Sequence, residues 1–151
     1  MSRRPKDIGT DAERAVVRYL QANGWPHAER RALRGHGDAG DITGTPGLCW
    51  EVKSRNRQVT DTEIVDWLAE TEDERVNAGA DLGVLVVRRP YANVRAWWAI
   101  LPLGVAAYLN GPFNAIEHDG PPVRMLLADV VDLLRAAGYG DPLGELSEVT
   151  R

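Results

Sequence analysis

The sequence predicts one α/β domain with a central mixed β-sheet flanked by helices. Amphipathic helical stretches alternate with short β-like runs in the order helix, three strands, helix, strand, then mixed elements. The run Asp81–Val87 is apolar almost throughout, as suits a central strand covered on both faces. A helical stretch separates it from the strand before it, which is the arrangement of a parallel crossover. The 151 residues suffice for one hydrophobic core, and 44% apolar against 26% charged residues excludes wholesale disorder. Residues 1–140 are expected to form the domain and 141–151 a polar tail.

The first helix is expected over Asp11–Ala22, capped by Thr10 and stopped by Asn23-Gly24, with Ala12, Ala15, Val16, Tyr19 and Leu20 at helical spacing. Pro26 forces the chain out of helix, and His27–Leu33 reads as a polar strand. The glycine-rich stretch Arg34–Asp41 must be a loop. Asp41–Thr45 is short and β-like, Thr45-Pro46-Gly47 is a turn, and Leu48–Ser54 alternates as a strand. Two short strands about such a turn predict a hairpin. A second helix is expected over Asp61–Ala78, capped by Thr60 or Thr62 and stopped by Gly79. Ile64, Val65, Trp67, Leu68 and Val76 form its buried side, and its acidic positions a solvated face. Val94–Leu101, with Trp97 and Trp98 on alternate faces, is a further strand, and Val105–Leu109 reads either way. Val123–Leu127 suits a short strand and Asp129–Ala137 a last helix, stopped by Gly138.

The net charge of −4 conceals an uneven distribution. Residues 1–57 carry a net +4, residues 58–87 a net −7 and residues 88–151 a net −1. The basic N-terminal third can bind phosphates whatever the total. No apolar run has the length of about 18–20 residues that a membrane span needs. The basic start has no apolar stretch behind it and does not read as a signal peptide. Cys49 is the only cysteine, which excludes an internal disulfide and a cysteine-based zinc site. A reducing cytoplasm is the expected compartment, with Cys49 a small buried hydrophobe.

The chemistry concentrates in the strand Cys49–Lys53. Alternation puts Cys49, Glu51 and Lys53 on one face and Leu48, Trp50 and Val52 on the other. A glutamate and a lysine on a strand that otherwise reads as buried are costly unless paired or used. They recur every second residue, about 6.8 Å apart, so both can reach one ligand. A hairpin would return Asp41 to Glu51 and Lys53. Paired carboxylates suit a hard cation such as Mg²⁺, with Mn²⁺ as a substitute. A lysine beside the cation can orient or help deprotonate water and neutralise charge on a phosphate, as metal-assisted phosphodiester hydrolysis requires. Only Lys6 and Lys53 are lysine among 18 basic residues, so Lys53 stands where a chain that favours arginine departs from its habit.

Gly40-Asp41-Ile42 followed by Glu51-Val52-Lys53-Ser54 resembles the PD-(D/E)xK nuclease superfamily, with Gly40 in the place of the motif's nominal proline. Gly9-Thr10-Asp11-Ala12-Glu13-Arg14 is similar to the first-helix context of archaeal-type Holliday junction resolvases and their phage and bacterial relatives. The resemblance covers roughly residues 6–100. It implies a restriction-endonuclease-like core (αβββαβ) and a DNA endonuclease acting on branched DNA such as a four-way junction. It implies Asp41, Glu51, Glu13 and the Val52 carbonyl as metal ligands, Lys53 as the catalytic lysine, Ser54 nearby, and a homodimer. The products would be a 5′-phosphate and a 3′-hydroxyl. The arginine-rich composition agrees with a GC-rich bacterial or phage genome.

Arg30, Arg31 and Arg34 precede the site and Arg55 and Arg57 follow it, placed to contact DNA phosphates. His36 lies between two glycines of the loop and reads as an exposed histidine. Duller readings stay open. Glu51 and Lys53 could form a surface ion pair, Glu13 could close a capping box with Thr10, and Asp41 could end an Asx-turn. Asp38 competes with Asp41, which is preferred because Ile42 and Thr43 begin the strand directly after it. The rival functions are a restriction- or repair-type nuclease on another DNA substrate, a non-catalytic DNA-binding module, and an unrelated α/β domain with Asp41 far from Glu51.

Overall fold

A computed structural model describes residues 5–32, 38–111 and 114–142. The element order is α1 (Pro5–Ala22), β1 (Glu29–Arg30), β2 (Ile42–Thr43), β3 (Leu48–Lys53), α2 (Asp61–Ala78), β4 (Leu82–Val87), β5 (Trp98–Pro102), α3 (Leu103–Asn110), β6 (Pro122–Leu126) and α4 (Leu127–Ala136). A short 3₁₀ turn at Val94–Ala96 precedes β5. The main sheet has the order β3-β4-β5-β6, with β3 parallel to β4 and the other pairs antiparallel. The mixed sheet and the parallel β3–α2–β4 unit agree with the sequence reading. No helix among the described residues is long and apolar enough to cross a membrane.

Helices cover both faces of the sheet. On one side α1, α3 and α4 pack on Leu48, Trp50, Val52, Leu82, Val84 and Val86. On the other, Ile64 and Trp67 of α2 meet Leu85, Val87 and Ile100. β4 feeds both layers and is buried at every position, as its apolar run requires. β3 divides as alternation demands, with Cys49, Glu51 and Lys53 on the α2 side. Trp50 anchors the opposite side, edge-on to Trp25 at 6.3 Å between ring centroids, and its indole N–H donates to Thr45 Oγ1 (3.2 Å).

Several expectations are corrected. α1 begins at Pro5, a turn and a half before the expected start, so Thr10 lies inside the helix and cannot cap it. The capping box is instead at α2, where Thr60 Oγ1 accepts from the Glu63 backbone N–H and Glu63 accepts from Thr60 N–H. The expected hairpin partners are also different. β2 pairs with β1, Arg30 opposite Ile42, and touches β3 through the Asp41 N–H donating to the Trp50 carbonyl (2.8 Å). Thr45 to Leu48 still forms the turn, the Leu48 N–H donating to the Thr45 carbonyl (3.0 Å), but β2 takes β1 as its ladder partner. Within the described part of the polar segment, residues 27–32, only β1 is strand. Trp97 is buried at the end of the 3₁₀ turn, and β5 starts at Trp98, half-buried under the Arg89 guanidinium at 4.2 Å. The ambiguous Val105–Leu109 is helical, within α3.

On α2 the buried stripe is Ile64, Trp67, Thr71 and Glu74, while Val65 and Val76 face solvent at 55% and 61% exposure. The spacing 3, 4, 3 keeps one helix face on the sheet. The helix is therefore rotated from the setting its most apolar residues suggest, and one of its acidic side chains is turned inward.

Candidate metal and active site

The site forms on the α2 side and at the outer edge of β3. That edge is occupied by the preceding loop. The Val52 backbone N–H donates to Asp41 Oδ2 (2.8 Å), so Asp41 holds the strand through both its main chain and its carboxylate. Gly40 makes this approach possible. Its φ is +93°, and a β-carbon there would lie 2.8 Å from both Cys49 Sγ and the Trp50 carbonyl oxygen. Gly40→Ala is expected to lower stability by about 1–3 kcal/mol, read as a shift in the urea midpoint, because strain and collision act together.

Asp41, Glu51 and Lys53 come together as the sequence suggests. Lys53 Nζ is 3.2 Å from Glu51 Oε1 and 3.2 Å from Glu70 of α2, and 5.9 Å from the Trp67 ring centroid. Burial pulls its pKa down, but the charges and hydrogen bonds of Glu51 and Glu70 outweigh this, and the net shift is upward. Lys53 is therefore held as an ammonium between the two carboxylates. Burial pushes the Asp41 carboxyl well above its usual range, and the neighbouring charges of Glu51 and Glu13 add to this against the opposing Val52 hydrogen bond. Asp41 and Glu51 are thus close enough to repel, the condition that a bound cation relieves.

Glu13 reaches the rim of the site from α1. Its charge is felt at Asp41, but its carboxylate accepts from Arg30 Nε at 2.8 Å. With Thr10 inside the helix, Glu13 has no capping role and its reach toward the site is unopposed by one. Among the candidate DNA-contacting arginines, Arg30 is held by Glu13. Arg57 is held by Glu63 through two short contacts (2.6 and 2.9 Å), which keep the Glu63 carboxyl down at about 2. Arg31 and Arg55 are exposed, with Arg55 over the Trp67 ring at 5.0 Å. Arg34 and His36 lie outside the described residues, as does most of the expected tail. Ser54 follows β3, and its hydroxyl oxygen is buried without a hydrogen-bond partner.

A second acidic group was not foreseen. Ligand oxygens of Asp38, Glu51, Glu70 and Glu74 all lie within 4.8 Å of one another, a set that can hold a metal ion. Asp38 is fixed where it stands by its Oδ1, which accepts from Gly40 N–H (3.1 Å), and by its carbonyl, which accepts from Asn77 Nδ2 at the end of α2 (2.9 Å). Glu74 is 1% exposed, and neither of its carboxylate oxygens has a hydrogen-bond partner. Burial and then Glu51 push its carboxyl far upward. Asp38 and the preferred Asp41 both approach Glu51. The sequence did hold a signal for Glu74: it falls on the 64-67-71-74 stripe, where an inward residue belongs.

Cys49 shares this face and is 1% exposed. Burial first, then Glu74 and Glu51, push its thiol up to about 12. It fits the expected packing role. In the folded protein Cys49 is expected to resist an aromatic disulfide reagent at pH 8 and to react within seconds after unfolding in urea, followed by absorbance. No protein-family model matches this chain, and comparison with curated proteins finds no match.

Proposed function

We propose that the protein is a Mg²⁺-dependent DNA endonuclease with a restriction-endonuclease-like core, acting on branched DNA and foremost on four-way junctions. The observation that supports this is the meeting of Asp41, Glu51 and Lys53 at the outer edge of β3, with Glu13 at its rim. Three element types contribute in the order that the motif resemblance implies. The donor set is hard oxygen, which fits Mg²⁺.

Asp41 and Glu51, with the Val52 carbonyl and Glu13, would hold the ion, which when bound supplies Lewis acidity toward a phosphate and a water. The chain's own residues do the rest. Lys53, held between Glu51 and Glu70, presents its ammonium to a phosphate oxygen and stabilises charge that grows during hydrolysis. Arg31 and Arg55 are exposed to take flanking phosphates. Arg30 and Arg57 can do so only by exchanging Glu13 and Glu63 for DNA. The acidic block of α2 divides between inward ligands and an outward face that would repel DNA, which confines the nucleic acid to the β3 edge. Two copies would act as a homodimer, as in the family, and sedimentation at micromolar concentration checks this.

The deciding experiment is cleavage of a four-way junction with Mg²⁺, beside flap, linear duplex and single-stranded substrates. Lys53→Ala is expected to lower the junction rate by about 10²–10³-fold while leaving the fold intact by circular dichroism. Full Mg²⁺-dependent cleavage by Lys53→Ala would sink the proposal. A faster rate on flap or duplex DNA than on junctions would move the substrate and keep the enzyme.

A further inference from the structure

Glu51 has two sides. Its Oε1 lies 3.2 Å from Lys53 Nζ, whereas its Oε2 is buried without a hydrogen-bond partner. Glu74 brings both of its own unpartnered oxygens into the same space from α2, at 1% exposure. Asp38 from the loop and Glu70, one helical turn before Glu74, complete a ring in which no ligand atoms are more than 4.8 Å apart. An octahedral oxygen shell at about 2.1 Å places neighbouring oxygens about 3 Å and opposite oxygens about 4.2 Å apart. Small rotations therefore close the ring on an ion. Glu70, 42% exposed, makes them by loosening its contact with Lys53 Nζ. Asp38, Glu51, Glu70 and Glu74 crowd around Lys53, and the unpartnered buried oxygens of Glu51 and Glu74 are relieved either by a retained proton or by a bound cation.

We propose that Asp38, Glu51, Glu70 and Glu74 hold a second hard divalent cation, with Glu51 bridging it to the ion on the Asp41 side. This ion is distinct from the one implied by the motif, since three of its four ligands lie outside the motif. Its existence rests on this geometry, and only its purpose rests on the nuclease reading.

The test titrates Mn²⁺ into the metal-free full-length chain by calorimetry, with electron paramagnetic resonance to count bound ions. The wild type is expected to bind two Mn²⁺ per chain, and Glu74→Gln and Asp41→Asn one each. In Glu74→Gln the α2-side affinity should fall by more than the roughly 10–100-fold that an outer-shell partner is worth. A single wild-type ion that survives Glu74→Gln and is lost in Asp41→Asn overturns the second site and leaves the nuclease reading standing. A single ion lost in Glu74→Gln and kept in Asp41→Asn supports the second site and removes the metal placement on which the nuclease reading depends. No bound Mn²⁺ overturns both. If Glu74→Gln fails to fold, Glu70→Gln on the outer side of α2 replaces it. An unchanged isotherm in folded Glu70→Gln overturns the second site, and a loss of at least about tenfold supports it.

Discussion

Glu51→Gln is expected to abolish junction cleavage and, at the same time, to raise the melting temperature of the metal-free protein. Glu51 is the carboxylate common to both acidic groups, adjoining Asp41 and Lys53 on one side and Glu74 on the other. Losing its charge should cost at least about 10³-fold in rate, the upper range for one preorganised electrostatic group. The stability change has the opposite sign. A Gln amide in this place can donate to Glu74, whose oxygens have no donor in the native protein. It also removes one of the charges that repel Asp41. Relief of a buried unpartnered acceptor is worth about 1–3 kcal/mol, measurable by thermal melting in excess chelator. A variant that loses activity and stability together would mean that Glu51 is a structural residue.

Glu74→Gln is expected to stabilise the metal-free protein in a pH-dependent way. Glu74 has an ordinary pKa of 4.5, raised in the folded state first by burial and then by Glu51. The sign follows from which state holds the proton. Below 4.5 both states are protonated and the contribution to stability is fully present. As pH rises, the unfolded chain releases its proton while the folded chain retains it, so stability falls through neutral pH and on toward the raised folded pKa. Glutamine imitates the neutral acid and carries no such slope. The difference in melting temperature between Glu74→Gln and wild type should be near zero at pH 4.5 and should widen at pH 6, 7 and 8. With saturating Mn²⁺ the order should reverse, because a ligand stabilises only the chain that can bind it. A constant offset across pH would mean that Glu74 is partnered by a donor.

The parts of this fold that were legible from sequence are those in which local pattern and tertiary demand agree. β4 reads as central because every residue is apolar, and it is buried throughout. β3 reads as two-faced because polar and apolar residues alternate, and the faces divide between α2 and the α1 side. Thr60 and Gly79 mark α2 because caps are local chemistry. The misreadings arose where packing outranks composition. The start of α1 was hidden because Thr10 has the form of a cap, yet the helix continues through it to Pro5. The rotation of α2 was misjudged because Val65 and Val76 are more apolar than Thr71 and Glu74. Their burial is decided by where the sheet lies, which turns Glu74 inward and Val65 and Val76 outward. The candidate site was half legible: Asp41, Glu51 and Lys53 follow from motif and alternation, but Asp38, Glu70 and Glu74 meet Glu51 only in three dimensions.

The grip of Asp41 on β3 has a consequence beyond metal binding. β3 is the outermost strand of its sheet, and an open strand edge invites pairing with another chain. The Asp41 carboxylate occupies the Val52 N–H, and its own main-chain N–H occupies the Trp50 carbonyl. One residue thus serves both as a candidate ligand and as a guard against self-association. A shorter side chain at this position would uncover an edge whose strand is apolar on its far face, and insolubility would then imitate loss of activity. Asparagine keeps an oxygen for Val52 and alters only the charge, so it separates the two duties that aspartate combines.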